Sequence, residues 1–340
     1  MIDEYALARE VRRTLGLKRE PDLHFLARGE YSINYVCLEA PEPYVVRCVT
    51  GSQIGLQLDA QVRYEDRVLH LLTASGHTPH PIAVQPHPRE VAHPLLIEGY
   101  LDGRPLNYQT DLDEAALCLA DIHRLPVPDD HGLQVHAQPG ASILAESRTW
   151  ATDYLAWPDA PRDSQHALRA AFSVVESDSR LVNNDVSAAD LAIVNYDVNT
   201  HNFIVNADGR VSLIDWEKGR VAPAVQDLAH FLLPTTTLWR SDTSTRLTLA
   251  QESQFVDRYL AARPELDPQR VRDDLTWMQR LIALRAVSWC SWAVAAAATG
   301  TRSAPDDETL ARSQMYLEPA FLYSLFGLDS RPHGASRRRS

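Results

Sequence analysis

Three oxygen-bearing side chains, Asp197, Asn202 and Asp215, stand within nineteen residues of one another. Two β-type runs, Phe203 to Asn206 and Arg210 to Ile214, flank Ala207-Asp208-Gly209, the composition of a hairpin with glycine in its loop. A closed hairpin brings its open ends together. Asn202 precedes the first strand and Asp215 follows the second, so an amide oxygen and a carboxylate meet at one end. Such a pair suits Mg²⁺, a hard cation held by one or two protein oxygens while substrate phosphates and water complete its shell. Five residues before Asn202, Asp197 stands at the mouth of the same site. The alternative is a surface hairpin with ordinary acidic flanks; order, spacing and strand context together favour the site.

The wider stretch reads Asn195-Tyr196-Asp197-Val198-Asn199, Asn202-Phe203-Ile204, Ile214-Asp215-Trp216-Glu217 and Asp227-Leu228-Ala229. It resembles the aminoglycoside phosphotransferase and choline kinase family, whose pattern runs His-Gly-Asp-Leu-His-x-x-Asn, then Ile-Asp-Trp-Glu, then Asp-Leu-Ala. The resemblance implies an α+β, protein-kinase-like fold of two lobes, a small antiparallel-sheet N-lobe over residues 1–98 and a larger, mostly helical C-lobe over 99–330. It implies ATP and Mg²⁺, with Asp197 as catalytic base, Asn202 and Asp215 as metal ligands, and Asp227 as a brace. The family's leading His is Asn195 here, which bears on loop geometry and leaves the base in place.

Upstream, FLARGEYSINYVCLEAPEPYVVRCVT reads as two strands joined by a proline-bearing turn. Gly29, Ser32 and Asn34 are expected in a bend before the strand Tyr35 to Leu38, which by itself reads as a plain β-turn and by resemblance occupies the place of the nucleotide-covering loop, with N–H groups exposed to phosphate. On the strand Tyr44 to Val49, alternation puts Val45, Arg47 and Val49 on one face. A charge there needs a partner if that face is buried. From Leu58 to Leu72 the residues Leu58, Val62, Glu65, Val68, Leu69 and Leu72 share one helical stripe, which offers Glu65. By resemblance Val45 lies at the nucleotide site, Arg47 with Glu65 clamps the α- and β-phosphates, and backbone groups from Glu98 through Tyr100 to Leu101 read the adenine edge. A purely structural ion pair is the alternative.

The chain has 340 residues, formal charge −12, and only two lysines, Lys18 and Lys218, among 33 basic residues. That charge argues against nucleic acid or an anionic membrane as partner and suits a cationic acceptor. Cys37, Cys48, Cys118 and Cys290 have no zinc-like spacing; they read as free thiols of a reducing cytoplasm, although Cys37 and Cys48 could face one another across their hairpin. No secretory signal is evident at the acidic start. Leu281 to Thr299 is apolar but broken by Arg285, which suits a buried helix rather than a membrane span. The histidines of the proline-rich stretch 77–94 read as surface loop.

Leu112 to Leu125 and residues 254–326 read as helical, and 331–340 as a disordered basic tail. Segment 129–190 carries no motif, but Trp150, Tyr154 and Trp157 fall on one helix face, either core or an aromatic wall for a cation. Only eleven residues separate Asp215 from Asp227, too few for a long activation segment, which favours a small hydroxylated, possibly amine-bearing acceptor such as an amino sugar or choline-like compound. Two other readings are a nucleotide-binding pseudokinase and nucleotidyl transfer on the same fold.

Overall fold

The computed structural model describes residues 2–178, 191–300 and 306–328. The expected tail 331–340 and part of segment 129–190 lie outside the described residues.

The N-terminal part begins with α1 (Glu4–Leu15). Asp3 caps it by accepting from the N–H groups of Tyr5 and Ala6, and Gly16 closes it in the left-handed region at φ 66°. Its stripe of Leu7 and Val11 is fully buried. Five strands then form one antiparallel sheet in the order β1-β2-β3-β5-β4: β1 (His24–Arg28), β2 (Ser32–Cys37), β3 (Tyr44–Val49), β4 (Pro81–Gln85) and β5 (Leu95–Gly99). The helix α2 (Leu58–Leu72) lies between β3 and β4 in sequence. Alternation sorts β3 as the sequence suggests. Tyr44, Val46 and Cys48 enter a small core with Leu7, Val11 and Ile97, while Val49 joins the larger core with Val62, Leu69 and Leu72 of α2.

The rest is mostly helical: α3 (Leu112–His123), α4 (Pro139–Ala156), α5 (Arg162–Glu176), α6 (Val225–Leu232), α7 (Pro234–Thr237), α8 (Leu249–Ala262), α9 (Pro268–Thr299), α10 (Asp307–Tyr316) and α11 (Pro319–Phe326). Short strands sit among them. β6 (Arg104–Pro105) joins β8 (Phe203–Val205) and β9 (Val211–Leu213), and β7 (Leu191–Val194) pairs with β10 (Arg220–Pro223). By length and composition α9 could cross a membrane, but it is packed against α4, α6 and α10, with Met278, Leu281, Leu284 and Val287 at 2% exposure or less. It is the core helix of this half.

Several expectations are corrected. Ser32 and Asn34 belong to β2 itself, leaving the bend to residues 29–31, because Thr50 N–H bonds to Tyr31 O and the ladder starts at Ser32↔Val49. Cys37 pairs in register with Tyr44 and Cys48 with Ile33, so the two thiols sit at opposite ends of their hairpin; all four cysteines are free and buried. His77 is in the loop as expected but not on the surface. It is 8% exposed, with its ring nitrogens on Val211 O and Asp121.

Candidate active site

The hairpin forms as its composition implies, with Phe203 opposite Leu213 and Gly209 at φ 82° in the turn. Ile214 N–H donates to Asn202 O at 2.8 Å, fixing Asn202 and Asp215 at the same open end. Asn202 Nδ2 donates to Asp197 O at 2.7 Å, so the amide's bond to this loop is made through its nitrogen and its acceptor Oδ1 is not used in it. The loop that carries Asp197 and the hairpin end that carries Asn202 and Asp215 are therefore one bonded unit.

Asn195 makes that unit rigid. Its Nδ2 donates to Asp215 O at 3.0 Å and Ile214 O at 3.3 Å, and its Oδ1 accepts from Asp197 N–H at 3.0 Å. The Asn thus ties together the two loops at the position where the family pattern has His. Beneath it the fully buried Asp227 accepts from the N–H groups of Asn195 at 2.7 Å and Tyr196 at 3.0 Å, and from the His123 ring at 3.4 Å. These bonds hold two non-glycine residues in the left-handed region, Tyr196 at φ 72° and Asp215 at φ 62°. Such conformations cost free energy and persist where surrounding structure over-determines them, commonly at functional sites.

From β3, Arg47 Nη2 lies 3.0 Å from Glu65 Oε1 and 2.7 Å from Asp215 Oδ1. Arg47 and Glu65 are almost wholly buried, while the Asp215 side chain is 30% exposed. Glu98 and Glu217 also act on Arg47, so one guanidinium faces four carboxyl groups. Burial pushes Glu98 and Glu217 up to about 7; Asp215 adds to both shifts and Arg47 opposes them. Burial likewise raises Glu65, against the pull of Arg47. Arg47 Nε and Asn34 Oδ1, neighbours across the β2–β3 ladder, are buried without partners. The acid surplus and the unspent Arg47 donor suit a metal-bound polyphosphate.

Of the other sequence-predicted nucleotide residues, Gly29 N–H closes the bend on Ser32 O at 2.9 Å, and half-buried Val45 pairs in register with Glu98. The N–H groups of Gly99 and Tyr100 are spent on His80 O and Pro43 O, so these two amides are not open to a base. Glu98 enters the site through its carboxyl group, which the sequence reading had not seen.

Asp197 has an unexpected partner. Lys218 Nζ lies 2.5 Å from its Oδ2, with the lysine 7% and the aspartate 30% exposed. Burial alone would raise the Asp197 carboxyl, but Lys218, His230 and a bond from Asn199 hold it well below the usual carboxylate range. Burial lowers the His230 imidazole to about 4, so that ring is neutral near pH 7. The Lys218 segment is pinned to α2 by Gln61 Nε2 on Glu217 O and by Tyr64 Oη on Gly219 O. Lys218 carried a signal in sequence: it is one of two lysines in an arginine-rich chain, three residues past Asp215.

Beyond Asp197 lie Tyr196, Arg220, Arg285 and Glu146, none singled out as site residues from sequence. Arg285 had been visible as the lone charge in an apolar helix. The aromatic stripe is split in role: Tyr154 is core at 2% exposure, Trp157 packs edge-on against it, and Trp150 already has a cation, Arg285 Cζ, 5.0 Å from its centroid. The stripe is not a free wall.

A profile of the phosphotransferase enzyme family matches residues 22–288. No curated protein sequence matches the chain. Among solved structures, an ethanolamine kinase from Plasmodium vivax aligns with TM-score 0.64 at 15% identity, over 94% of this chain and 88% of its own. Choline kinase from Cryptosporidium parvum Iowa II aligns with TM-score 0.63 at 13% identity, over 96% and 97%. The streptomycin-ATP-APH(2")-IIa ternary complex gives 0.60 at 14%, over 96% and 99%. These likenesses establish the fold as protein-kinase-like. With the family profile spanning most of its length, the chain belongs to the phosphotransferase enzyme family.

Proposed function

We propose that this chain is an ATP- and Mg²⁺-dependent O-phosphotransferase acting on a small hydroxylated molecule. The observation that carries the reading is the bonded unit in which Asn202 Nδ2 holds Asp197 O at 2.7 Å while Asn195 bridges to Asp215 O at 3.0 Å. Those bonds hold Asp197, Asn202 and Asp215 together, which supports reading them as a base and a metal-ligand pair. The ATP complex among the structural neighbours supports ATP as donor.

Asn202 Oδ1 and the Asp215 carboxylate would hold the metal, which when bound neutralises charge on the triphosphate. Arg47 positions the phosphates from β3, kept in place by Glu65. Asp197, ionised throughout the neutral range, orients the acceptor hydroxyl and receives its proton as the bond to phosphorus forms. Lys218, paired with Asp197, offsets its negative charge.

The test is product analysis after incubation with Mg-ATP and a metabolite and antibiotic panel. ADP plus a phosphorylated acceptor upholds the reading. Released pyrophosphate would replace it with nucleotidyl transfer, and nucleotide binding without turnover with a pseudokinase. The Asn195 bonds to Ile214 O, Asp215 O and Asp197 N–H speak against the last, because the loop is tied without the family's His.

A further inference from the structure

Arg220 on β10 is 5% exposed, yet no carboxylate of the described residues lies within ion-pair distance of it. Its Nε donates to Lys218 O at 3.0 Å, and Nη1 lies 3.4 Å from the His136 ring nitrogens. Its Cζ stands 3.8 Å from the centroid of the Tyr196 ring. Over the same ring, at 4.1 Å, stands Arg285 Cζ. Arg285 Nε and Tyr196 Oη both bond Glu146, at 2.9 and 3.1 Å. Two guanidinium groups thus stand against one ring, and the one carboxylate there, Glu146, is bonded to Arg285 and Tyr196 but not to Arg220.

Burial pulls the Arg220 pKa down, and Arg285 adds to the shift. A guanidinium nonetheless keeps its proton, so a buried one with no paired anion bears a desolvation cost that the Tyr196 ring, Lys218 O and the more distant Glu146 offset only in part. The location matters as much. Tyr196 is the residue before Asp197, Arg220 is two residues beyond Lys218, and Arg285 acts electrostatically on both Asp197 and Lys218. His136, held toward its neutral form chiefly by burial and by Arg220, adds a ring but no counter-charge.

We propose that the acceptor is an anionic hydroxylated molecule whose carboxylate or phosphate is bound by Arg220 and Arg285 beside Tyr196, with the reacting hydroxyl at Asp197. This rests on the phosphotransferase reading and deepens it. It reverses the cationic acceptor that the chain's net charge suggested, because charge at the site, not over the whole surface, selects the ligand. A planar guanidinium matches a carboxylate or phosphate with two parallel N–H groups. In the transfer the acceptor oxygen bonds the γ-phosphorus, the bond from that phosphorus to the bridging oxygen breaks, ADP leaves with the electron pair, and the hydroxyl proton passes to Asp197.

The experiment measures acceptor-stimulated ADP release from Mg-ATP with D-gluconate and glucose 6-phosphate, with glucose and myo-inositol, and with choline and kanamycin. Only the anions should stimulate; which one does so separates carboxylate from phosphate. In R220Q the KM for that anion should rise at least tenfold with kcat reduced less than threefold, and R220K should recover part of the loss. Stimulation by choline, kanamycin or the neutral sugars in preference to the anions overturns the anionic class and leaves the phosphotransferase reading standing. If no compound stimulates, that reading fails on this panel and the anion site is judged by binding to protein saturated with Mg²⁺ and a non-hydrolysable ATP analogue. A melting-temperature rise with gluconate or glucose 6-phosphate, absent in R220Q, upholds it; no rise in the unmodified protein overturns it.

Discussion

The two sides of the cleft carry opposite charge surpluses. On the sheet side, Glu65, Glu98, Asp215 and Glu217 surround the single guanidinium of Arg47. On the helical side, Arg220 and Arg285 flank Tyr196, and among the described residues only Arg285 of the two is paired with a carboxylate, Glu146. The Asp197–Lys218 pair stands between them. One side lacks positive charge, which a divalent cation would supply; the other lacks negative charge, which an acceptor would supply. A formal charge of −12 averages these away. Composition limits the partners of the whole surface, whereas ligand selection is set over a few ångströms in a poorly screened cleft.

The largest expected effect falls on the boundary. Asp197→Asn keeps the size of the side chain and removes the proton acceptor, and loss of a general base lowers rate by about 10²- to 10⁴-fold. Mg-ATP binding should survive, because nothing on the sheet side is altered. Asp215→Asn should do the reverse in order of events. It removes a metal-side carboxylate, and since changes even in groups supporting a metal ligand cost about 10- to 100-fold in affinity, Mg²⁺-dependent nucleotide binding should fall at least about tenfold. Calorimetric titration of Mg-ATP beside single-turnover transfer reads both. Equal loss of nucleotide binding in the two variants would erase the division between the sides.

Much of this was legible in sequence, for identifiable reasons. Local rules carried the hairpin, because Gly209 and the flanking β-type runs encode a turn, and they carried α2, whose stripe from Leu58 to Leu72 matches the helix. Arg47 and Glu65 could be paired because each is a lone charge on an apolar face, and they lie 3.0 Å apart. Lys218, Arg220 and Arg285 were not legible as a group. Arg285 lies 88 residues from Asp197 on a different helix, and only the tertiary packing of α9 against α4 brings it over Tyr196. Asn34 was misread for a different reason: a bend and the first residues of a strand have similar composition, and ladder register decided between them.

The next effect is smaller and tests whether the sheet side is one electrostatic unit. Arg47→Ala strands Glu65 among other acids; Glu65→Ala leaves Arg47 with Asp215 at 2.7 Å. The two losses should not be symmetric, with Arg47→Ala the greater in nucleotide affinity. Contacting charges couple by about 0.5–3 kcal/mol, so the double variant should lose less than the sum of the single ones. Strict additivity in Mg-ATP affinity would mean that the pair seen in the structure contributes nothing as a pair.

The smallest expected effect is on stability against pH. In the folded protein Glu98 and Glu217 are pushed up to about 7, first by burial, and Glu65 is raised by the same cause. Unfolded carboxyl groups titrate near 4.3. Between those values the folded state binds more protons than the unfolded one, so stability is greatest at low pH and is lost as pH rises through the folded pKa values. His230, lowered to about 4 by burial, and His136, lowered by the same cause, run the other way: they favour folding as pH rises, an effect complete by about pH 7, just above the ordinary histidine value. Asp197, held low, matters only in acid. The window to measure is therefore about pH 7 to 8, which lies above most of that histidine effect and within the range of the raised glutamates. Melting temperature of the free protein should fall across it by a few degrees, at about 2–4 °C per kcal/mol or somewhat less for a chain of this length. Mg²⁺ with nucleotide favours the ionised carboxylates, so binding should release protons and the thermal shift it produces should be larger at pH 8 than at pH 6.5. Calorimetry in two buffers of different ionisation enthalpy measures that release directly. A flat melting profile from pH 7 to 8, together with identical binding enthalpies in the two buffers, would mean that the acids around Arg47 are already ionised and that the sheet side holds more counter-charge than its neighbouring side chains provide.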